Sequence, residues 1–337
     1  MLGSVGKWTR SGLLGMAMCV LAGATALACE APSASHNFIV KNGQVQIPTR
    51  VAGQGTPVVF VPSIGRSVED FDDLAARMAA AGYIAIQPTP RGIRSNLSAL
   101  AMSDLNDLAD DVLAVARGLC PSEPAVIIGQ AYGSRVARLA AARAPAQVTQ
   151  LVLIGADDGQ PVSDDLRAAM SNAVAQGIRS DTSRLEGLKT AFFAPGNDPT
   201  VWLDGWYPLV AAAQNRAGKR VDPSRWIAGG VGPVLLVQGA NDPVQTPQAG
   251  EALAARMGER AQLVILPQAS HALLPEQPEA LAAVIMAFLK GENAQDPALI
   301  APLLRNRQGK FADCRNGTAP APGESCATEM ETSPPRS

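Results

Sequence analysis

An aspartate and a histidine in the second half of the chain have the residue types and the spacing for proton transfer. Asp242 follows the apolar segment that ends at Gln238, and His271 follows the next apolar segment. A carboxylate bonded to one imidazole nitrogen fixes the tautomer and leaves the other nitrogen free as a general base. The chain has only two histidines, and the other, His36, belongs to the N-terminal lead. We therefore expect a His271–Asp242 pair that moves a proton.

A third position contains alanine where such a pair would need an attacking oxygen. Residues 129–133 read Gly-Gln-Ala-Tyr-Gly and lie between a strand-like apolar run and a helix-like run. Their spacing follows the motif Gly-x-Ser-x-Gly, in which the serine occupies a strained strand-to-helix turn and attacks a carbonyl carbon. Ala131 has a methyl group there. The sequence therefore excludes ordinary serine acyl transfer at this turn.

On these residues, the segment from about 38 to 290 resembles a capped member of the α/β-hydrolase superfamily. In that family the nucleophile, the acid and the histidine follow one another in chain order, with the acid after a late strand. Ala131, Asp242 and His271 keep this order and spacing. The resemblance implies an α/β-hydrolase fold, with a mostly parallel, doubly wound sheet and a helical cap inserted between two strands.

The resemblance also implies an oxyanion hole made of two backbone amides. The family uses the amide after the nucleophile and one from the loop after an early strand. These positions are Tyr132 and Ile64. The loop reads Pro-Ser-Ile-Gly at 62–65, whereas the family often has His-Gly where proline and serine stand here.

Hydrophobic periodicity supports the implied architecture. Apolar runs predict buried strands at 57–61, 83–87, 125–128, 148–154, 233–238 and 263–266, and a hairpin at 38–52. Helical spacing covers 68–81, 104–119, 133–144 and 276–290. Such alternation predicts a parallel sheet with helices on both faces. We divide the chain into core segments 38–156 and 231–290, with a helical cap at 157–230 between them.

The cap segment holds an unusual share of the aromatic residues. We interpret four of these rings as candidates for lining an apolar ligand site: Phe192, Phe193, Trp202 and Trp206. The alternative is that they form the core of the cap itself. Arg91 and Arg94 follow the second core strand, at the edge where such sheets bind ligands, and either is a candidate for meeting an acidic group of a substrate. The alternative is that they are ordinary surface arginines.

Three functions fit a site that has lost its nucleophile. The first is an enzyme without a covalent intermediate, in which His271 activates water or removes a proton from a small apolar carbonyl compound, without a cofactor. The second is a catalytically inactive ligand-binding protein on the same scaffold. The third is a hydrolase with a relocated nucleophile, for which Ser63 is the favoured candidate and Ser134, three positions along the helix, is expected to point away.

The N-terminus predicts export. Residues 1–28 combine Lys7 and Arg10 with an apolar run and an Ala-Leu-Ala end, as a secretory signal does. Cys29 follows at once, so the mature protein is either periplasmic or secreted in soluble form, or anchored by a lipid on Cys29. In the lipid-anchored case Cys120 would be the odd thiol, with Cys314 and Cys326 paired in the tail.

Composition sets further bounds. A net charge of −2 with no basic patch excludes a nucleic-acid-binding role, and the scarcity of histidine argues against a metal site. Residues 291–337 are rich in proline, glycine and serine, and we expect this tail to be largely disordered.

Overall fold

Eight strands and ten helices form the described part of the molecule. The computed structural model describes Cys29 and residues 35–94 and 97–303. The strands are β1 His36–Asn42, β2 Val45–Gly53, β3 Thr56–Val61, β4 Tyr83–Pro88, β5 Ala125–Gln130, β6 Val148–Ile154, β7 Val234–Gly239 and β8 Ala261–Leu266. The helices are α1 Asp72–Ala80, α2 Leu97–Met102, α3 Leu105–Leu119, α4 Tyr132–Arg143, α5 Asp164–Ala173, α6 Asp181–Ala191, α7 Pro208–Lys219, α8 Pro247–Met257, α9 Leu273–Glu276 and α10 Pro278–Leu289. The predicted signal segment and the end of the tail lie outside these residues.

The strands make a single sheet in the order β1-β2-β4-β3-β5-β6-β7-β8. The hairpin β1–β2 is antiparallel and β2 pairs antiparallel with β4, whereas every later pair is parallel. Strands β3 and β5 through β7 are almost wholly buried, as a parallel sheet covered on both faces requires. The predicted architecture, a mostly parallel α/β sheet, is confirmed.

Two apolar cores lie on opposite faces of the sheet. One contains residues of α3, α4, α7 and α8, and the other contains residues of α1 and α10. Because parallel strands all end at the same edge, the loops after β3, β5, β6, β7 and β8 meet there, which is where open α/β sheets bind their ligands. Ile64, Ala131, Asp242 and His271, all singled out from the sequence, lie in these loops.

Helix boundaries differ from the predictions in two places for local reasons. The helix predicted at 68–81 begins with a 3₁₀ turn, Val68–Phe71, before α1. The helix predicted at 276–290 begins only at Pro278, as α10, and Glu276 belongs to the separate short helix α9. Pro278 lacks an N–H and favours the first helical position, while Gln277 before it has φ −138° and ψ 53°, outside the helical region.

The segment between β6 and β7 contains helices α5, α6 and α7. Helix α5 packs closely on α6 because Gly187 has no side chain: a Cβ atom at this position would lie 2.5 Å from the carbonyl oxygen of Ala169. Helix α7 packs instead on α2 and α3. This segment therefore covers the sheet edge at which the loops meet.

A disulfide joins Cys29 to Cys120, at the end of α3. It closes a loop across 91 positions of sequence and fastens the start of the described chain to the core. The expectation that Cys120 is an odd thiol applies only if Cys29 carries a lipid, and it does not fit this bond between the two cysteines. Within the described residues, we find no helix with the length and apolarity needed to cross a bilayer.

Candidate active site

Ala131 occupies the turn between β5 and α4 in a conformation that alanine rarely adopts. Its φ is 48° and its ψ is −112°, and a positive φ of this kind costs a residue with a Cβ atom about 1–3 kcal/mol. Two backbone hydrogen bonds hold the turn. The N–H of Ala131 donates to the carbonyl of Ile154 at 2.8 Å, and its carbonyl accepts from Ser134 N at 3.0 Å. The strained turn predicted from the motif is therefore present.

Gly129 and Gly133 permit close packing around this turn. A Cβ atom on Gly129 would lie 2.5 Å from the carbonyl oxygen of Gly133, and one on Gly133 would lie 2.1 Å from the carbonyl oxygen of Val61. Neither glycine has a positive φ. Their role is the close approach of α4 to the ends of β3 and β5, which no larger residue allows.

Asp242 and His271 form the predicted pair. The Asp242 carboxylate accepts hydrogen bonds from Val244 N at 2.8 Å and Gln245 N at 2.9 Å through Oδ1. Its Oδ2 lies 2.8 Å from Nδ1 of His271. Both residues are buried: Asp242 is 2% exposed and His271 is 4% exposed. The carboxylate is therefore oriented by the backbone and orients the imidazole in turn.

The electrostatics of His271 favour its protonated form. Burial alone would lower the pKa of the imidazole, but the charge and hydrogen bond of Asp242, with the charges of Glu276 and Asp157, raise it above 6.5. With Nδ1–H bonded to Asp242, the proton acceptor of the neutral ring is Nε2. Among the described residues Nε2 has no hydrogen-bond partner.

Gly155, after β6, lies against the imidazole of His271. Its N–H donates to the carbonyl of Val237 at 2.9 Å, and a Cβ atom on it would lie 3.4 Å from both Cε1 and Nδ1 of His271. The preceding residue, Ile154, is the one that accepts the hydrogen bond from Ala131. The end of β6 thus accepts the hydrogen bond from Ala131 at Ile154 and lies against the imidazole at Gly155.

The two predicted oxyanion donors are available. In the hydrogen-bond network of the described residues, the amides of Tyr132 and Ile64 have no acceptor. Nearby, the cap helix α7 provides Gln214, whose Oε1 accepts from Gly65 N at 2.7 Å and whose carbonyl accepts from the Tyr132 hydroxyl at 2.7 Å. Helix α7 therefore fastens both loops that carry the free amides. Their role at an oxyanion stays a prediction.

The four cap rings pack mainly on one another. Centroids lie 5.4–5.9 Å apart for the ring pairs among Phe192, Phe193, Trp202 and Trp206. The guanidinium of Arg66 lies over both tryptophans, at 4.9 and 4.7 Å from their centroids. Phe192 also contacts the site, because its ring centroid lies 5.5 Å from that of His271. The rings thus form a cap core that touches the imidazole through Phe192, and their contact with a ligand stays a prediction.

Neither alternative serine is activated in the structure. Ser134 is fully buried, and its hydroxyl accepts from the guanidinium of Arg138 at 3.3 Å, on the side of α4 that packs on the core. Ser63 is also buried, in the loop after β3. Within the described chain neither hydroxyl is bonded to His271.

The two arginines after β4 have structural partners. Arg91 is buried and donates to the Asp111 carboxylate at 2.7 and 2.8 Å and to Ser103 at 2.7 Å. It is therefore not available for a substrate carboxylate, contrary to the expectation. Arg94 is exposed and pairs with Glu69 at 2.9 Å.

Sequence reasoning missed one buried carboxylate at the site. The sequence pattern places Glu276, five residues after His271, at the start of a predicted helix, whereas its carboxylate accepts hydrogen bonds from the backbone of the histidine loop and from the cap. Its only sequence signal is an acidic residue shortly before a proline that starts a helix. Among the described residues, no three His, Cys, Asp or Glu side chains are grouped as metal ligands are.

Comparison with known proteins agrees with this geometry. The model of the alpha/beta hydrolase family matches residues 58–284. The chain is similar in structure to an esterase from Exiguobacterium antarcticum, with 17% identity, 76% of this chain and 100% of that chain covered and a TM-score of 0.62. It is also similar to E-2-(acetamidomethylene)succinate hydrolase, with 20% identity and a TM-score of 0.62. That likeness covers 76% of this chain and 100% of the hydrolase chain.

A thermophilic esterase from Thermogutta terrifontis is a third similar structure, with 20% identity, coverage of 77% and 99% and a TM-score of 0.60. At these identities the likeness shows a shared fold. No curated protein matches the sequence.

Proposed function

The chain belongs to the α/β-hydrolase family, and from this premise we propose that it is an enzyme in which His271 acts as a general base without a covalent nucleophile. The observation that carries the proposal is the buried Asp242–His271 pair, in a chain that keeps the strained turn at Ala131 and two backbone amides without an acceptor among the described residues. A retired site would have no chemical need for this pair.

The loss of the serine sets the scale of what remains. In triad enzymes, removing the nucleophile lowers turnover by about a million-fold and leaves about a thousand-fold over water from the oxyanion hole and binding. The rate enhancement that remains is too small for cleaving unreactive bonds but sufficient for an activated carbonyl compound. We therefore assign the protein to reactions that need a base and an oxyanion hole only.

In the hydrolytic form of the proposal, a water molecule occupies the space that the missing hydroxyl leaves at Ala131. Nε2 of His271 takes a proton from the water as its oxygen bonds to the substrate carbonyl carbon, and Asp242 stabilises the imidazolium. The amides of Tyr132 and Ile64 hold the carbonyl oxygen as it becomes negative. The imidazolium then returns the proton to the leaving group as the carbonyl–leaving-group bond breaks.

The same groups suit a lyase or isomerase step. Nε2 would take a proton from the carbon next to a carbonyl group, and the two amides would hold the enolate oxygen. The substrate in either form is a small apolar carbonyl compound, because the cap surface that reaches His271 is an aromatic ring, that of Phe192.

We further propose that the protein is exported. The signal-like residues 1–28 motivate this, and the bond between Cys29 and Cys120 supports it, since disulfides persist in oxidising compartments. A sulfur in a disulfide cannot also carry a thioether-linked lipid. We therefore favour the soluble secreted or periplasmic form over the lipid-anchored one.

A second candidate function is ligand binding without turnover, and the covering of the site favours it. Phe192 lies on the imidazole. A cavity of about 50 Å³ borders Tyr132, but Ala131, Asp242 and His271 do not line it. In this candidate the pair of His271 and Asp242 is only a structural remnant.

One experiment separates the two functions. The substrate is p-nitrophenyl acetate, an activated ester, and initial rates are measured for the wild-type protein, His271→Ala and the control His36→Ala. General-base chemistry predicts that His271→Ala lowers the rate by about 100-fold or more, while His36→Ala leaves it unchanged. Equal rates for the wild type and His271→Ala would overturn the enzymatic proposal and support binding alone.

A further inference from the structure

Glu276 is a carboxylate buried between the histidine loop and the cap. The residue is 1% exposed and lies at the end of the short helix α9. Its Oε1 accepts hydrogen bonds from Ala194 N and Asn197 Nδ2, each at 2.7 Å, and its Oε2 accepts from Ser270 N at 2.7 Å. One side chain therefore bonds the cap with one oxygen and the histidine loop with the other.

These bonds hold the backbone immediately before the catalytic imidazole, and a second cap contact holds the backbone immediately after it. The N–H of Ala272 donates to the carbonyl of Phe192 at 2.8 Å. Asn197 adds a bond from Nδ2 to the carbonyl of Gln268 at 2.9 Å. His271 thus lies between two backbone groups that the cap and Glu276 fix, with the ring of Phe192 over its imidazole.

The chemistry of the position requires a carboxylate. The donors from Ala194, Asn197 and Ser270 are N–H groups, and an ionised carboxylate offers acceptors only. Such charge-assisted bonds are about twice as strong as neutral ones. A glutamine of the same shape would turn one NH₂ group toward an N–H donor, so at least one of the three bonds would be lost.

The charge of Glu276 also acts on the imidazole. Burial raises the pKa of Glu276, against the lowering effect of the bonds from Ala194, Asn197 and Ser270. Its negative charge joins that of Asp242 in raising the pKa of His271. A change at residue 276 is therefore measurable at the histidine through the charge of the carboxylate.

We propose that Glu276 is a positioning residue that joins the cap segment 192–197 to the loop 267–272 and so holds His271 in register with the turn at Ala131. This inference rests on the proposed function, in which His271 is the base. It assigns the cap a second task besides covering the site, because displacement of the cap would release the loop that carries the base.

The test uses Glu276→Gln with Glu279→Gln as a matched control. Glu279 lies three positions along the chain, is exposed and pairs with Arg77 at 3.4 Å, so the control makes the same chemical change away from the site. Because the chain has only two histidines, NMR of isotope-labelled histidine resolves the titration of His271 from that of His36. The signals of His36 serve as an internal reference. Hydrogen exchange of residues 192–197 and 267–272 is measured on the same proteins.

We expect Glu276→Gln to lower the pKa of His271 and to accelerate hydrogen exchange in both segments by about tenfold or more, since a buried charged bond is lost. Glu279→Gln should change neither. If Glu276→Gln lowers the melting temperature but leaves the titration of His271 and the exchange at 267–272 as in the wild type, its role is structural only and the inference is wrong.

A milder variant keeps the test informative if Glu276→Gln fails to fold. Asn197→Ala removes one bond to Glu276 and the bond to Gln268 while leaving the carboxylate in place. It should accelerate exchange at 267–272, and unchanged exchange there would overturn the coupling between cap and loop.

These readouts do not depend on turnover. If His271→Ala retains full ester hydrolysis while Glu276→Gln moves the titration of His271, the proposed function fails and the positioning stands. In the opposite case the function stands and the positioning fails.

Discussion

Ala131 combines a backbone conformation suited to a nucleophile with a side chain that cannot attack. Glycine would adopt φ 48° without strain, and serine would make use of it, whereas alanine does neither. The proposed base, His271, and the two amides proposed as oxyanion donors are the other parts of the candidate site. The conformation at 131 is therefore imposed by the packing of β5 and α4 and not by the identity of the side chain.

Replacing Ala131 by glycine should stabilise the protein. The relief of strain, about 1–3 kcal/mol, exceeds the entropy that glycine loses on folding, about 0.5–1 kcal/mol. We expect the free energy of unfolding to rise by about 1 kcal/mol, measured by urea denaturation. A decrease would mean that the turn is relaxed in the wild type.

The pH dependence of the reaction follows from the pKa of His271. Asp242 and Glu276 raise the pKa of His271 above 6.5 in the folded protein. The protonated ring therefore adds to the free energy of unfolding, and this contribution is fully present below pH 6.5. It is lost as pH rises through the folded pKa. Only the neutral ring is a base, so hydrolysis of p-nitrophenyl acetate should increase with pH through this same window.

Asp242→Asn should move that inflection to lower pH, since it removes the charge that raises the pKa. His36→Ala, as the control, should leave the profile in place. A profile that is flat from pH 6 to 9 in the wild type would contradict the role of His271.

At the scale of elements, the junction of β3, β5 and α4 depends on glycine at 133. In Gly133→Ala the new Cβ atom would lie 2.1 Å from the carbonyl oxygen of Val61 and 2.6 Å from that of Pro62, so backbone must move. We expect a loss of about 3 kcal/mol in unfolding free energy. Gly118→Ala in α3 is the control, because its Cβ would meet only the Val40 side chain, at 3.3 Å. An equal loss of unfolding free energy in the two variants would mean that the junction tolerates a side chain at residue 133.

The sequence sufficed to predict the elements that carry the site, because buried parallel strands read as continuous apolar runs and each is followed by its loop. Ala131, Asp242 and His271 were identified by their order in such loops. Contacts between distant segments left no such pattern. The bond of Glu276 to the cap, the pairing of Arg91 with Asp111 and the packing of Phe192 on His271 depend on tertiary structure alone.

At the scale of the whole molecule, the disulfide between Cys29 and Cys120 fixes the start of the described chain to the core. Cross-linking across 91 positions lowers the conformational entropy of the unfolded chain. In the loop-entropy model this raises the free energy of unfolding by about 4–5 kcal/mol. Cys120→Ser should lower the unfolding free energy by up to about this amount, measured by urea denaturation under oxidising conditions.

Dithiothreitol should lower the unfolding free energy of the wild type but not that of Cys120→Ser. The variant lacks the bond between Cys29 and Cys120 and therefore serves as the control for other effects of the reductant. Mass spectrometry of the protein, purified without reducing agent, should show Cys29 linked to Cys120. A diacylglyceryl group on Cys29 would contradict both the linkage and the soluble form.

The most direct test is labelling of Ala131→Ser with a fluorophosphonate, followed by mass spectrometry of the labelled peptide. The probe reacts with a serine that a base activates and whose adduct an oxyanion hole holds, so it reports both parts of the site at residue 131. We expect an adduct on the introduced serine and none in the double variant Ala131→Ser/His271→Ala or in the wild type. An unlabelled Ala131→Ser protein, or an adduct on Ser63 or Ser134 of the wild type, would show that His271 is not a base aimed at this turn.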